Sequence, residues 1–236
     1  MRRRFFVEQF EGNSAAMTGD AAHHLGRVLR AEPGQLYELS DGERVWLGRI
    51  ETVGRDRVEF ALVEPIASRE SALETTLLLS IVKFDSFEWA LEKATELGVR
   101  EIVPLAAARS EKALLVAAEK RSERWKKILM EAAQQSRRVK VPELKPVQKP
   151  SEAYRQTAKV KVILSERAEA KPLKEVLDGA QAKQVILAIG PEGGWTDDEF
   201  SAAESAGFHQ ASLGSLILRT ETAVVAALSN LNYALG

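Results

Sequence analysis

Val185-Ile186-Leu187-Ala188-Ile189 runs directly into Gly190-Pro191-Glu192-Gly193-Gly194, a short apolar stretch ending in a glycine-rich loop. Five apolar residues are too few for a helix and suit a strand buried on both faces. Thr196 and Glu199 follow at capping-box spacing and open a helix over 200–206. Strand, loop and capped helix in that order are the grammar of an α/β sheet.

The same grammar extends outward from this point. Upstream, Leu77-Leu78-Leu79-Ser80-Ile81-Val82 reads as a buried strand, and Asp85 with Glu88 as a capping box. The helix that follows carries its apolar stripe on Phe87, Ala90, Leu91, Ala94 and Leu97 and stops at Gly98. Glu101-Ile102-Val103-Pro104-Leu105 is the next strand, and Trp125, Ile128, Leu129, Ala132 and Ala133 mark a long helix. Val160-Lys161-Val162-Ile163-Leu164 and a short helix from Pro172 continue the alternation. Downstream, a brief strand near Ala211-Ser212-Leu213 precedes a final helix over 221–235. Strand and helix alternating in this way predict a mostly parallel sheet covered on both faces.

The first 68 residues follow another pattern. Gln35-Leu36-Tyr37-Glu38-Leu39, the turn Ser40-Asp41-Gly42-Glu43, and the alternating runs Arg44–Ile50 and Arg57–Val63 predict short strands in a small barrel or sheet. One helix over 21–29 interrupts them. The polar stretch over 65–74 is the expected linker, which divides the chain into domains 1–68 and 75–236.

Composition narrows the function. Hydrophobic residues make up 45% and charged residues 28%, an ordinary globular balance. With no cysteine, disulfides, zinc-thiolate sites and cysteine nucleophiles are excluded. Only three apolar residues separate Arg4 from Glu8, too few for a signal sequence, and no apolar run is long enough to span a membrane, so a cytoplasmic protein is expected. The net charge of -1 conceals an asymmetry: residues 120–149 hold ten Lys or Arg against three Glu, whereas 192–221 hold six acids and one Arg. Such segregation focuses a field on one face, although solvated helix faces give the same pattern.

Ligands of open α/β sheets bind where strands end, because backbone amides and helix N-termini are aimed there. The Gly190–Gly194 loop meets that condition, and it also meets the simpler need for a tight strand-to-helix turn. It is neither a dinucleotide fingerprint nor a phosphate-binding P-loop. Leu213-Gly214-Ser215-Leu216-Ile217-Leu218-Arg219-Thr220-Glu221-Thr222 sets an arginine at the start of an apolar helix. Thr220 is a plausible cap and Glu221 suits the helix dipole, but a cation there is unfavourable. Arg219 is therefore paired with an acid or reserved for an anionic ligand. His23 and His24 have only His209 to join them, too little for a metal site, and helix capping explains them better.

These segments, in this order, resemble the SPOUT class of methyltransferases, and within it the bacterial family that methylates N3 of a uridine in small-subunit (16S) ribosomal RNA. The likeness runs through Arg4-Phe5-Phe6-Val7, His23-His24-Leu25, Val28-Leu29-Arg30, Lys93 to Val99, Ile102 to Leu105, Gln135-Ser136 with Arg138, Val141-Pro142-Glu143 and Ser165-Glu166-Arg167-Ala168. The glycine loop and Leu218-Arg219-Thr220-Glu221-Thr222 complete it. Three departures stand out: Arg137 where the family usually has Gly, Leu216 where it has Arg, and Phe84-Asp85 after Lys83 where it often has Gly-Asp.

The resemblance implies an α/β fold with a C-terminal SPOUT trefoil knot, a small N-terminal PUA-like β-barrel for RNA, and a homodimer. It implies that S-adenosylmethionine is held by Leu164, Ser165, Glu166, Ile189, Gly190, Pro191, Glu192, Gly193, Gly194, Leu213, Gly214, Leu218, Arg219 and Thr220. Ribosomal RNA or the small subunit is the implied partner, with no membrane and no metal. Arg2, Arg3, Arg4, His24, Arg27, Arg30, Arg137, Arg138 and Lys140 are the expected RNA contacts, Arg27 and Arg30 sharing a helix face at a spacing of three. Methylation of uridine N3 requires an unpaired base and loss of the N3 proton. Arg219 would stabilise the resulting anion, with Glu221 or Glu192 able to accept the proton; the competing reading is that Arg219 only orients the cofactor or an RNA phosphate. Positioning together with Arg219 is preferred over any named base. Rival readings are a SPOUT enzyme acting on another RNA position and a non-catalytic RNA-binding assembly factor.

Overall fold

A computed structural model describes residues 3–67 and 71–236. The chain forms two compact units, one from the described part of Met1–Glu70 with Ala133–Val141, the other from Ser71–Ala132 with Pro142–Gly236.

The first unit is a curled, six-stranded half-barrel. Its strands are β1 (Arg4–Phe6), β2 (Phe10–Glu11), β3 (Ser14–Thr18), β4 (Leu36–Ser40), β5 (Val45–Val53) and β6 (Arg57–Pro65). They lie in the order β1-β4-β5-β6-β3-β2, antiparallel except for the β1/β4 pair. Alternation along β6 turns Val58, Phe60 and Leu62 inward against Leu25, Leu39 and Ile50. The helix predicted over 21–29 is not a single α-helix. It consists of α1 (Gly19–His23) and a π-helical turn, His24–Val28, closed by the Leu29 amide donating to the His24 carbonyl at 3.0 Å.

Ala133–Val141 is tied into this unit by polar bonds. Arg4 is buried, and its Nε and Nη2 both donate to Glu38 Oε2, at 3.1 and 2.9 Å. Its Nη1 donates to the Arg137 carbonyl, and Ser40 Oγ donates to the Val139 carbonyl at 2.6 Å. A buried charge persists only when it is paired in this way. Arg4 is therefore a structural residue, with no guanidinium face left for RNA, contrary to the sequence expectation. Arg137 takes a left-handed backbone, φ +56, which accounts for glycine being usual there in the family it resembles. Arg2 lies outside the described residues.

The second unit is built on seven strands. Its elements are β7 (Glu74–Ser80), α2 (Phe84–Glu96), β8 (Glu101–Leu105), α3 (Lys112–Ala118), α4 (Ser122–Gln135), β9 (Glu143–Leu144) and α5 (Pro150–Ala153). They continue with β10 (Val160–Leu164), β11 (Lys171–Pro172), α6 (Leu173–Val176), β12 (Gln184–Ile189), α7 (Asp197–Ser205), β13 (His209–Ser212) and α8 (Thr220–Leu235). The strand order is β11-β13-β10-β12-β7-β8-β9, every neighbouring pair parallel. Leu77, Leu78 and Leu79 are fully buried, as a two-sided strand requires, each contributing roughly 1.5–3 kcal/mol.

Helix caps form at some expected places and not at others. Thr196 and Glu199 make the predicted capping box on α7. Asp85 and Glu88 do not make theirs: α2 starts two residues earlier than that box requires, with Lys83 in the cap position. Glu88 is buried and engaged elsewhere, accepting from Arg124 Nε at 2.8 Å and Arg121 Nη1 at 3.2 Å. The Arg124 hydrogen bond, followed by the charges of Arg124 and Arg121, outweighs burial and holds its carboxyl below the usual glutamate range. Gly98 ends the helix region with φ +88, a conformation that costs glycine nothing.

Candidate functional site

The strand order brings three loops together. β12 lies between β10 and β7, with β13 on the outer side of β10, so the segments leaving β10, β12 and β13 emerge side by side at the C-terminal edge of the sheet. Between them opens a cavity of about 790 Å³. The first segment contributes Leu164, Ser165 and Glu166, and the second Ile189, Gly190, Pro191, Glu192, Gly193 and Gly194. Leu213, Gly214, Leu218, Arg219 and Thr220 come from the third.

The glycine loop is held by packing and by backbone bonds. A Cβ at Gly190 would stand 3.0 Å from the Trp195 indole, so any larger residue requires the ring to give way. Trp195 is buried, and its Nε1 donates to the Leu164 carbonyl at 3.1 Å, linking the loop to the end of β10. Gly194 takes φ +68 and its amide donates to the Pro191 carbonyl at 2.8 Å. Thr220 is the first residue of α8 and not its cap; its Oγ1 donates to the Gly190 carbonyl at 3.2 Å. Arg219 occupies the cap position in extended backbone and makes no side-chain capping bond.

Arg219 is exposed, and its guanidinium has no ion pair among the described residues. Of the two alternatives the sequence leaves open, pairing with an acid is therefore absent. Glu221, the other expected catalytic group, does not line the cavity. Thr220 and Ala223 face it, and a residue one step along the helix from Thr220 is turned about 100° away. One Glu221 oxygen is buried without a hydrogen-bond partner. Glu192 does line the cavity and is exposed.

Lys83, Ser86, Arg109, Trp195 and the ion pair of Arg167 with Asp197 also line it, and the sequence does not single them out as site residues. Lys83 and Arg109 follow β7 and β8, where the crevice rule would have pointed had the strand order been known. Arg167 also stacks over Phe200, 4.1 Å from the ring centre.

The expected RNA contacts fare differently from one another. Arg3, His24, Arg27, Arg30 and Lys140 are exposed; Arg137 and Arg138 are half-buried. Arg137 Nη1 lies 3.7 Å from Glu38 Oε1. The π-helical turn removes the three-residue repeat on which a shared face for Arg27 and Arg30 rested, and Arg30 departs further with φ +51. Among the described residues no three of His, Asp and Glu converge as a metal site, and no helix is long and apolar enough to cross a membrane.

Residues 69–232 match the family model of an RNA methyltransferase domain, and residues 17–63 that of an RNA methyltransferase PUA domain. The chain belongs to this RNA methyltransferase family. Among similar members is the ribosomal RNA small subunit methyltransferase E of Synechocystis sp., 33% identical over 95% of this chain and 75% of that protein. The Bacillus subtilis protein of the same name is 30% identical over 98% of this chain and 96% of its own. A ribosomal RNA small subunit methyltransferase E from Neisseria gonorrhoeae, crystallised bound to S-adenosyl methionine, superposes with a TM-score of 0.90 at 31% identity, covering 100% and 99% of the two chains. A putative methyltransferase from Legionella pneumophila, in complex with the same cofactor, gives a TM-score of 0.90 at 32% identity and the same coverage. The half-barrel and the parallel sheet are thus the fold of this RNA methyltransferase family.

Proposed function

We propose that the protein transfers a methyl group from S-adenosylmethionine to N3 of a uridine in small-subunit (16S) ribosomal RNA. The observation that carries this reading is the convergence of the three loops on one cavity with an unpaired arginine at its rim. Relatives bearing the small-subunit methyltransferase name, and solved relatives holding the cofactor, support it.

The residues present fit such a cofactor. A cavity of about 790 Å³ lies within the usual range for small-molecule sites, and it offers apolar surface on Leu164, Ile189 and Leu218. Glu166 and Glu192 provide carboxylates for a cationic ligand, and Gly190, Gly193 and Gly194 expose backbone. When bound, the cofactor supplies an electrophilic methyl group on a sulfonium centre.

The chain's residues then have two tasks. Neutral uracil carries a proton on N3, so nitrogen becomes nucleophilic as that proton leaves. Arg219 stabilises the negative charge that spreads to the flanking carbonyl oxygens, and of the two carboxylates able to accept the proton Glu192 is the one that lines the cavity. Holding the base against the cavity mouth supplies the rest of the rate. The half-barrel, with Arg3, His24, Arg27 and Arg30 exposed, is the RNA-binding module, assisted by Arg137, Arg138 and Lys140. The working form is a cytoplasmic homodimer whose C-terminal segments form the trefoil knot of the SPOUT class.

Mass spectrometry of small-subunit RNA from cells with and without the protein tests this. One N3-methyluridine should vanish with the protein. Loss of a different methyl group would move the activity to another RNA position, and no loss would leave a non-catalytic assembly factor.

A further inference from the structure

We propose that Arg109 is a positioning residue for the glycine loop, and that residues 107–110, which follow β8, form a bracket that sets the loop's shape before any ligand arrives. Arg109 Nη1 donates to the Gly193 carbonyl at 2.8 Å. The two residues are so close that a Cβ on Gly193 would lie 3.3 Å from the Arg109 Cβ. One residue earlier, the Ala108 amide donates to Glu199 Oε1 at 2.8 Å. The other oxygen of Glu199 accepts from the Thr196 amide at 2.9 Å. The stretch 193–196 is thus held at both ends by one short segment. That segment is itself anchored, because buried Ser110 Oγ donates to the Ile81 carbonyl at 2.8 Å.

A bracket is needed here for a physical reason. Two consecutive glycines lose more backbone freedom on ordering than any other pair, and the loop has no ladder of its own to offset that loss. Left free, the loop would be ordered by the ligand, at the expense of affinity. A guanidinium bond to Gly193 and a carboxylate bridge to Thr196 take on that ordering within the protein. The consequence for cofactor binding rests on the function proposed above; the bracket itself does not.

Hydrogen exchange on ligand-free protein, with calorimetric titration of S-adenosylmethionine, separates the two. Arg109→Ala should speed exchange within 190–196 and weaken cofactor binding by about tenfold, the scale of one lost hydrogen bond, while exchange in β12 and α8 stays as in the parent. Arg109→Lys keeps one donor in reach of Gly193 and should recover most of both. Unchanged exchange in Arg109→Ala overturns the bracket, even if cofactor binding falls. So does exchange in Arg109→Lys as fast as in Arg109→Ala. A parent protein that binds no S-adenosylmethionine would instead overturn the cofactor reading, with the exchange result still deciding the bracket.

Discussion

The Thr220 hydroxyl donates to the Gly190 carbonyl at 3.2 Å, so the first residue of the last helix hangs from the first residue of the glycine loop. Thr220→Val keeps the shape and removes the donor, so the part-buried Gly190 carbonyl loses its partner at a cost of about 0.5–1.5 kcal/mol. The expected outcome is a lower melting temperature together with weaker cofactor binding, measured by calorimetry on the same samples. A loss of stability with unchanged affinity would show that this bond does not shape the cavity.

Gly190 leaves little room for a side chain. In Gly190→Ala the new methyl would press on the Trp195 ring at 3.0 Å, and that ring is fixed by its bond to Leu164 and by edge contact with Tyr154. Overpacking of this kind costs about 1–3 kcal/mol. Urea denaturation should register the loss, and tryptophan fluorescence should shift as the indole is displaced.

Lys161 joins three chain segments. Its Nζ donates to the carbonyls of Tyr154, Gln156 and Ala206 at 2.8, 2.9 and 2.7 Å, and it lies 4.6 Å from the Phe208 ring centre. The Ala206 carbonyl closes the C-terminus of α7, where a cation is favourable. Lys161→Met fills the volume but strands three acceptors, and a loss of about 2–4 kcal/mol is expected from chemical denaturation. A loss below about 0.5 kcal/mol would mean that water serves those carbonyls equally well.

Glu88 gives the second unit an acid-sensitive joint. Its carboxyl is held below the ordinary glutamate value by the Arg124 hydrogen bond and then by the Arg124 and Arg121 charges. A depressed carboxyl contributes stability that is present above the unfolded value, about 4.3, and is lost as pH falls through the lower native value. Urea midpoints of parent and Glu88→Gln should therefore differ most near pH 7 and converge below pH 4. Parallel curves across that range would contradict the assignment.

Arg137 sits at φ +56, and a left-handed residue with a side chain costs roughly 1–2 kcal/mol more than glycine. Arg137→Ala retains the strained backbone and loses the Glu38 contact, whereas Arg137→Gly loses the contact and relieves the strain. The glycine variant should be the more stable of the two by about 1 kcal/mol in thermal unfolding.

The parts of the fold that depend on neighbours in sequence were the legible ones. The apolar run before Gly190, the Thr196–Glu199 box and the alternation in β6 each encode their own conformation. Glu88 misleads for the opposite reason: it carries the spacing of a cap, but two arginines more than thirty residues away claim it. Arg4 does the same, reading as a free basic residue until Glu38 and the Arg137 carbonyl are brought beside it. The three cavity-lining segments came from the family resemblance, and the structure brings them to one cavity. Lys83 and Arg109 were not legible, since only the strand order carries the ends of β7 and β8 to the same edge.

The insertion of β12 between β10 and β7 bears on how the protein is made. β7 emerges from the ribosome about a hundred residues before its inner neighbour, and β10 waits for the same strand. Until residues 184–189 are synthesised, both carry an open edge of unpaired amides and carbonyls, the kind of surface that recruits strands from other chains. The β7-β8-β9 part of the sheet can therefore join β10 only once β12 is made, and such distant pairings are slow to form. Chains cut short before 184 should accumulate as aggregates, and nascent chains of that length should depend on chaperones.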